Sequence, residues 1–222
     1  MANILAIETS SDACSVSLSF EGNAFHFHEM LPQQHTERLL IEIKRLLGLA
    51  KAQLKDLDAI AVGCGPGSFT GIRLACSVAQ GLAFSSDLMT IQVPSLEVLA
   101  KKINTELGAE RIVSIVNARM QQLYVGEYLY SEDKLLSSNL FVIPIEEFKA
   151  SVYEKNTFFV GDGCDLVLEE LEGISTNISL SLPSAEDLLS LAADKYNDNE
   201  LLEPEKLLPI YLFGEEQWKK AK

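Results

Sequence analysis

The chain has 222 residues, 47% of them hydrophobic and 23% charged, with 18 Lys and Arg against 32 Asp and Glu for a formal net charge of −14. The composition is that of a globular protein, and the length suits one large domain or two lobes of roughly 100 residues each. The acidic excess disfavours unaided, high-affinity binding to nucleic acid and docking on anionic membranes, because both depend on Lys and Arg meeting phosphates. That excess is uneven. Residues 1–111 carry 9 basic and 12 acidic side chains, whereas residues 112–222 carry 9 and 20. A basic protein partner is compatible with such a surface.

The opening MANILAIETSSDA has no basic stretch ahead of its apolar run, so no signal peptide is expected. The longest apolar stretch, Ile72–Phe84, contains Arg73, Ser77 and Gln80 and is too short to span a bilayer. Cys14, Cys64, Cys76 and Cys164 are scattered without CxxC spacing, which suits buried thiols in a reducing cytoplasm.

Asn3–Glu8 reads as a strand that ends in the turn formers Thr9-Ser10-Ser11-Asp12. Cys14–Phe20 alternates apolar and polar residues, and Ala24–Met30 follows a Glu21-Gly22-Asn23 turn, giving an antiparallel meander. Leu39, Ile43, Leu46 and Leu47 recur at helical spacing, with Gly48 as the expected C-cap. Leu57–Gly63 is a buried-strand pattern, Cys64–Gly71 a glycine-rich turn, Ile72–Phe84 a helix, Thr90–Val93 a strand and Leu96–Leu107 a helix. The pattern restarts at Arg111–Asn117, continues through strands at Gln122–Leu129, Asn139–Ile143 and Phe158–Val160, and reaches a turn at Gly161-Asp162-Gly163. Helices are expected at Leu166–Leu171 and Ala185–Lys195, the latter capped by Ser184. The second half thus echoes the first, as a duplicated α/β protein would.

Two runs have the residue types of an anion site. GCGPGSFTG at Gly63–Gly71 places four glycines between a strand and a helix, where backbone N–H groups can meet a phosphate. Thr9, Ser10 and Ser11 supply hydroxyls at the first strand's end, so Thr9, Ser10, Ser11, Gly65, Gly67, Ser68 and Thr70 are candidate phosphate ligands. The alternative is a tight strand-to-helix connection whose glycines permit close packing, since the Lys of a Walker loop is missing. His26 and His28 face one side of a strand and read as a metal pair or as partly exposed strand histidines. There is no HExxH or GxSxG. Ala75, Ala79 and Ala83 form a small-residue stripe that suits close helix packing, on the chain's own sheet or in an intermolecular bundle.

ILAIETS at Ile4–Ser10, HTERLLIEI at His35–Ile43, AIAVGCGPGSFTGIRLACSVAQGLA at Ala59–Ala83 and VPSLEVLA at Val93–Ala100 closely resemble the bacterial TsaB (YeaZ) family. The family's hallmark is a GPGSFTGLR-type run, here Gly65–Arg73 with Ile72 in place of Leu. Weaker matches are NARMQQLY at Asn117–Tyr124, where the family usually has Asp-Ala-Arg, GDG at Gly161–Gly163, and PIYL at Pro209–Leu212, with Phe213 where an arginine usually follows. The resemblance covers essentially the whole chain.

It implies an α/β, two-lobe actin-like ATPase (ASKHA, ribonuclease H-like) fold with mixed sheets. The lobes would be residues 1–107 and 108–222, with the tail from about residue 203 packing back on the first. It further implies a non-catalytic, cytoplasmic subunit that supports TsaD, the enzyme forming threonylcarbamoyladenosine in tRNA. TsaD-like proteins carry an HxxxH metal pair; here His35 is followed by Leu39, so no metal is expected. The implied assembly is a heterodimer with TsaD through first-lobe helices, joined by the ATPase TsaE, with a homodimer when alone and tRNA reached only through the complex. The implied interface residues are His35, Leu39, Arg73, Ala75, Cys76, Ala79 and Ala83, and Ala79→Arg is expected to break association while sparing the fold. No cofactor is expected to be required by this chain. Alternatives are weak ATP or ADP binding by an ATP-dependent enzyme, and a glycoprotease-like peptidase.

Overall fold

The computed structural model describes residues 2–172 and 177–212. In chain order its elements are β1 (Ile4–Glu8), β2 (Ala13–Phe20), β3 (Asn23–Met30), α1 (His35–Ala50), β4 (Ala59–Gly63), α2 (Phe69–Ser86), β5 (Met89–Val93), α3 (Ser95–Leu107), β6 (Arg111–Arg119), β7 (Gln122–Ser131), β8 (Lys134–Pro144), β9 (Phe158–Val160), α4 (Leu168–Glu172), β10 (Ile178–Ser179) and α5 (Ala185–Asn197). The strands form two mixed sheets, ordered β3-β2-β1-β4-β5 and β10-β9-β6-β7-β8. Each begins with an antiparallel meander and adds two parallel strands to the other side of its first strand. The two halves therefore repeat one topology, in line with the α/β fold and mixed sheets expected from the sequence.

In the first sheet, alternation sorts the side chains by face. Ile4, Ala6, Ala59, Ala61, Ile91 and Val93 point to one side and pack against Ala185, Leu188, Leu191 and Ala192 of α5. Register puts Ser15 and Ser17 on that side too, and the Ser15 hydroxyl accepts the Ala185 N–H at 2.8 Å. Leu5, Ile7, Val16 and Leu18 point the other way, as do Phe25 and Phe27 on β3. Helices α1 and α2 touch each other and cover that second face, α1 over β2 and β3, α2 over β4, β1 and β5. Arg38 and Arg45 of α1 lie over the Phe27 ring at 5.6 and 5.8 Å and grip the buried Glu42 carboxylate between them.

The structure differs from expectation at the end of α1 and in the division of the chain. Gly48 does not end α1; the helix runs to Ala50, and Lys51 takes the left-handed conformation (φ 55°), donating its N–H to the Gly48 carbonyl. The compact units are Met1–Val98 with Pro183–Pro209, and Leu99–Leu182 with the described residues of Ile210–Lys222. The division thus falls inside α3 rather than at residues 107/108, and α5, expected in the second lobe, belongs with the first sheet. The chain returns to the first unit at Pro183, well before residue 203. Thr90 and Leu202 exchange backbone hydrogen bonds of 2.8 Å, and the Gln92 side chain donates to the Leu208 carbonyl at 2.6 Å. These contacts cover the free edge of β5, which would otherwise present unpaired N–H and C=O groups. Phe213 lies outside the described residues.

The second unit packs Val113, Ile115, Leu123, Val125 and Phe159 of its sheet against Phe148, Ala150, Cys164, Val167 and Leu171. Lys101 and Asn104 of α3 reach the β7–β8 turn, Lys101 pairing with Asp133 at 2.6 Å and Asn104 donating to the Glu132 carbonyl at 2.8 Å.

Candidate functional site

The two glycine- and hydroxyl-rich runs meet at the carboxyl ends of β1 and β4, where open α/β sheets usually bind ligands. Here the runs bind each other. The Thr9 hydroxyl donates to the Gly71 carbonyl at 2.8 Å, and the Gly71 N–H donates to the Ser68 hydroxyl that caps α2. Ser68 N–H donates to the Ser10 carbonyl at 2.7 Å, while the Ser11 hydroxyl accepts the Ala13 N–H. A Cβ on Gly67 would stand 2.5 Å from the Ser10 oxygen, and one on Gly71 would overlap the Thr9 carbonyl. Gly65 takes a positive φ of 90° and exchanges hydrogen bonds with Ser95.

Gly67 and Gly71 therefore serve close approach of backbone to backbone, and Thr9, Ser10, Gly65 and Ser68, expected as phosphate ligands, are engaged in hydrogen bonds within the fold. Within this run Ser68, Phe69 and Thr70 stand at the surface, and Gly67 is half-buried. The second unit repeats the device. A Cβ on Gly161 or Gly163 would run into Ile115 at the same position of its own sheet, so the GDG turn is also a packing joint.

At the centre of this joint lies Glu8, fully buried and absent from the sequence-level candidates. Its carboxylate accepts the Ser10 N–H at 2.6 Å and the Ser95 hydroxyl at 2.8 Å. Burial raises its pKa above the ordinary carboxylate value, against the opposing pull of the Ser10, Ser95 and Thr9 hydrogen bonds. The space a side chain on Gly63 would need is taken by the Glu8 carboxyl group. An acidic residue closing an otherwise apolar strand, ILAIE, was the available signal.

The remaining catalytic options gain no geometry. All four cysteines are free and buried. Burial pushes the Cys14 and Cys164 thiols up to about 11 and about 12, away from the thiolate a nucleophile needs. His26 and His28 do share the α5 side of β3, as alternation requires. His26 meets Ser17 at 3.0 Å and Glu186 at 3.8 Å, and among the described residues no group of three His, Cys, Asp or Glu is placed to hold a metal ion.

The interface candidates divide by exposure. Leu39, Ala75, Cys76, Ala79 and Ala83 are buried in the chain's own core. The small-residue stripe lets α2 settle on its own sheet and offers no surface to another molecule, which corrects the expectation that these five residues meet a partner. His35, at the start of α1, is half-buried beside the Ala13 carbonyl, and Arg73 is exposed over the Phe69 ring at 3.4 Å.

The outward side of α2 instead carries Thr70, Arg73, Ser77, Gly81 and Phe84, spaced for one helix face. Phe84 is 73% exposed and Phe69 42%. On α1, Leu40 and Ile41 are 53% and 59% exposed. Gly48 and Gly81 face open space with nothing near a would-be Cβ, although glycine inside a helix costs roughly 0.5–1 kcal/mol relative to alanine. The chain's own fold requires neither glycine. Among the described residues no helix is long and apolar enough to cross a membrane.

Residues 29–196 match the family model described as TsaD: tRNA N6-adenosine threonylcarbamoyltransferase. The tRNA threonylcarbamoyladenosine biosynthesis protein TsaB of Haemophilus influenzae is 33% identical over 98% of this chain and 96% of its own. The protein of that name from Escherichia coli is 31% identical, covering 98% of this chain and 97% of its own. The solved structure of YeaZ from Pseudomonas aeruginosa is similar with a TM-score of 0.85 and 38% identity, covering 96% of this chain and all of that one.

Proposed function

Since the chain belongs to the TsaB family of tRNA threonylcarbamoyladenosine biosynthesis proteins, we propose that it is a non-catalytic subunit that binds and supports a TsaD-type threonylcarbamoyltransferase, with TsaE joining the pair. The observation that carries this reading is the outer side of α1 and α2. Leu40, Ile41, Phe69 and Phe84 are left in water there, and Gly48 and Gly81 leave room for another helix to approach. Exposed apolar side chains on two helices that touch each other suit a protein partner. Association through helices buries such side chains while the rim charges Arg73, Lys44 and Arg45 set the register.

A supporting role also fits a chain whose glycine-rich loop is spent on its own packing. In this reading the chain requires no cofactor of its own, works in the cytoplasm, meets tRNA only through the assembled complex, and self-associates through the same helices when TsaD is absent. The −14 charge supports the indirect route to RNA.

The test is reconstitution of tRNA modification from purified TsaD-type enzyme, TsaE, threonylcarbamoyl donor and tRNA, with and without this chain. The modified nucleoside is expected to accumulate only when the chain is added, and the chain alone is expected to form none. Equal product without it, or turnover by the chain on its own, contradicts the proposal.

A further inference from the structure

The second unit holds an open cavity of about 420 Å³ between one face of its sheet and the segment that carries Val152–Thr157. Cavities of roughly 300–1,000 Å³ are the usual size for small-molecule sites. The polar groups that matter in its wall are Arg111, Glu127, Asn139, Tyr153, Glu154 and Thr157. Register explains how they come together. Arg111 pairs across the sheet with Leu129, Val113 with Glu127, and Glu127 with Asn139. Arg111 and Glu127 are therefore diagonal neighbours on one face of adjacent strands, with backbones roughly 7–8 Å apart. This face is the apolar one that buries Val113, Leu123 and Val125, so a charged pair at its open end is out of pattern.

Glu127 is fixed before any ligand arrives. Its carboxylate accepts the Tyr153 hydroxyl at 3.0 Å and the Asn139 side-chain amide at 3.2 Å. Tyr153 is itself held edge-on to Phe159 at 5.6 Å and stacked with Phe148 at 6.1 Å. A carboxylate has about four acceptor positions, and these two donors fill two. Arg111 uses Nε on Glu154 at 3.2 Å, with the two side chains 42% and 63% exposed. An ion pair so open to water contributes little and exchanges readily. A guanidinium has five N–H donors, so Arg111 can turn to a second carboxylate.

A fixed anion and an available guanidinium one diagonal apart match a molecule carrying an ammonium and a carboxylate on one carbon. We propose that this cavity binds a free α-amino acid, its ammonium group on Glu127 and its carboxylate on Arg111. The side chain then lies toward Asn139 and Thr157. A plain diamine would meet Arg111 as a like charge, and a simple anion would meet Glu127 and Glu154. The proposal does not rest on the chain's part in tRNA modification.

Heteronuclear NMR of the full chain, with the standard amino acids added one at a time at about 10 mM, tests it. At least one amino acid is expected to move the backbone signals of Asn139, Tyr153 and Thr157. For that amino acid, the N-acetylated and carboxyl-amidated forms are expected to bind the unaltered chain at least about tenfold more weakly. Glu127→Gln and Arg111→Met are each expected to weaken it by a similar factor. No perturbation by any amino acid overturns the proposal, as does equal binding of the N-acetylated form. The analogue comparison uses the unaltered chain, so it decides the matter even if a variant misfolds.

Discussion

Glu8 sits at the joint between β1, the glycine-rich loop and the start of α3, and its protonation is coupled to folding. In the unfolded chain it ionises as an ordinary Glu, near pH ~4.3; in the fold, burial holds the proton to higher pH. The folded state therefore binds the extra proton in the window that opens just above pH ~4.3, and Glu8's contribution to stability, full below that pH, is lost as pH rises through the folded value. Glu8→Gln keeps the shape and removes the titration. Its destabilisation relative to the native chain is expected to be largest at acid pH and to shrink as pH rises toward neutrality, read from urea midpoints across that range. A difference that does not change with pH contradicts the coupling. Glu8 escaped the sequence reading because a single acid before a turn reads as a surface residue, and only the topology buries it under Ser95.

The two sides of α2 are the clearest case of an element whose pattern was legible and whose orientation was not. Spacing marks Ala75, Ala79 and Ala83 as a stripe, yet periodicity cannot say whether a stripe faces the chain's own sheet or another molecule. The sheet claims it, because small side chains let the α2 backbone settle closely on its strands. Ala79→Arg, expected at the sequence level to spare the fold, is now expected to destabilise it by more than about 3 kcal/mol, since a long charged side chain has no place in that contact. Phe84→Glu on the outer side is expected to stay within about 0.5 kcal/mol of the native chain. Urea unfolding followed by circular dichroism separates the two; equal stability of both variants contradicts this assignment of the faces. Strands were easier to read, because alternation in Cys14–Phe20 carries its own burial pattern. The placement of α5 was not, since its apolar side fits either sheet and only tertiary contact chooses the first.

For the whole molecule, the duplicated topology and the uneven charge belong together. The echo of strand, hairpin and glycine turn was legible at residues 111–163, and the second sheet repeats the order of the first. Gly67, Gly71, Gly161 and Gly163 stand at tight packing joints, a role that sequence cannot separate from anion binding because both need backbone close to another group. With the first half near neutrality and the second strongly acidic, protein contact through α1 and α2 meets less electrostatic resistance than contact through the second half. The outer side of these helices is the proposed docking face for a TsaD-type partner. Light scattering during size-exclusion chromatography of the chain mixed with that enzyme tests it most directly. The native chain is predicted to elute as a one-to-one heterodimer and Phe84→Glu as an uncomplexed folded protein, whereas no complex with the native chain, or an undiminished one with Phe84→Glu, would contradict the account.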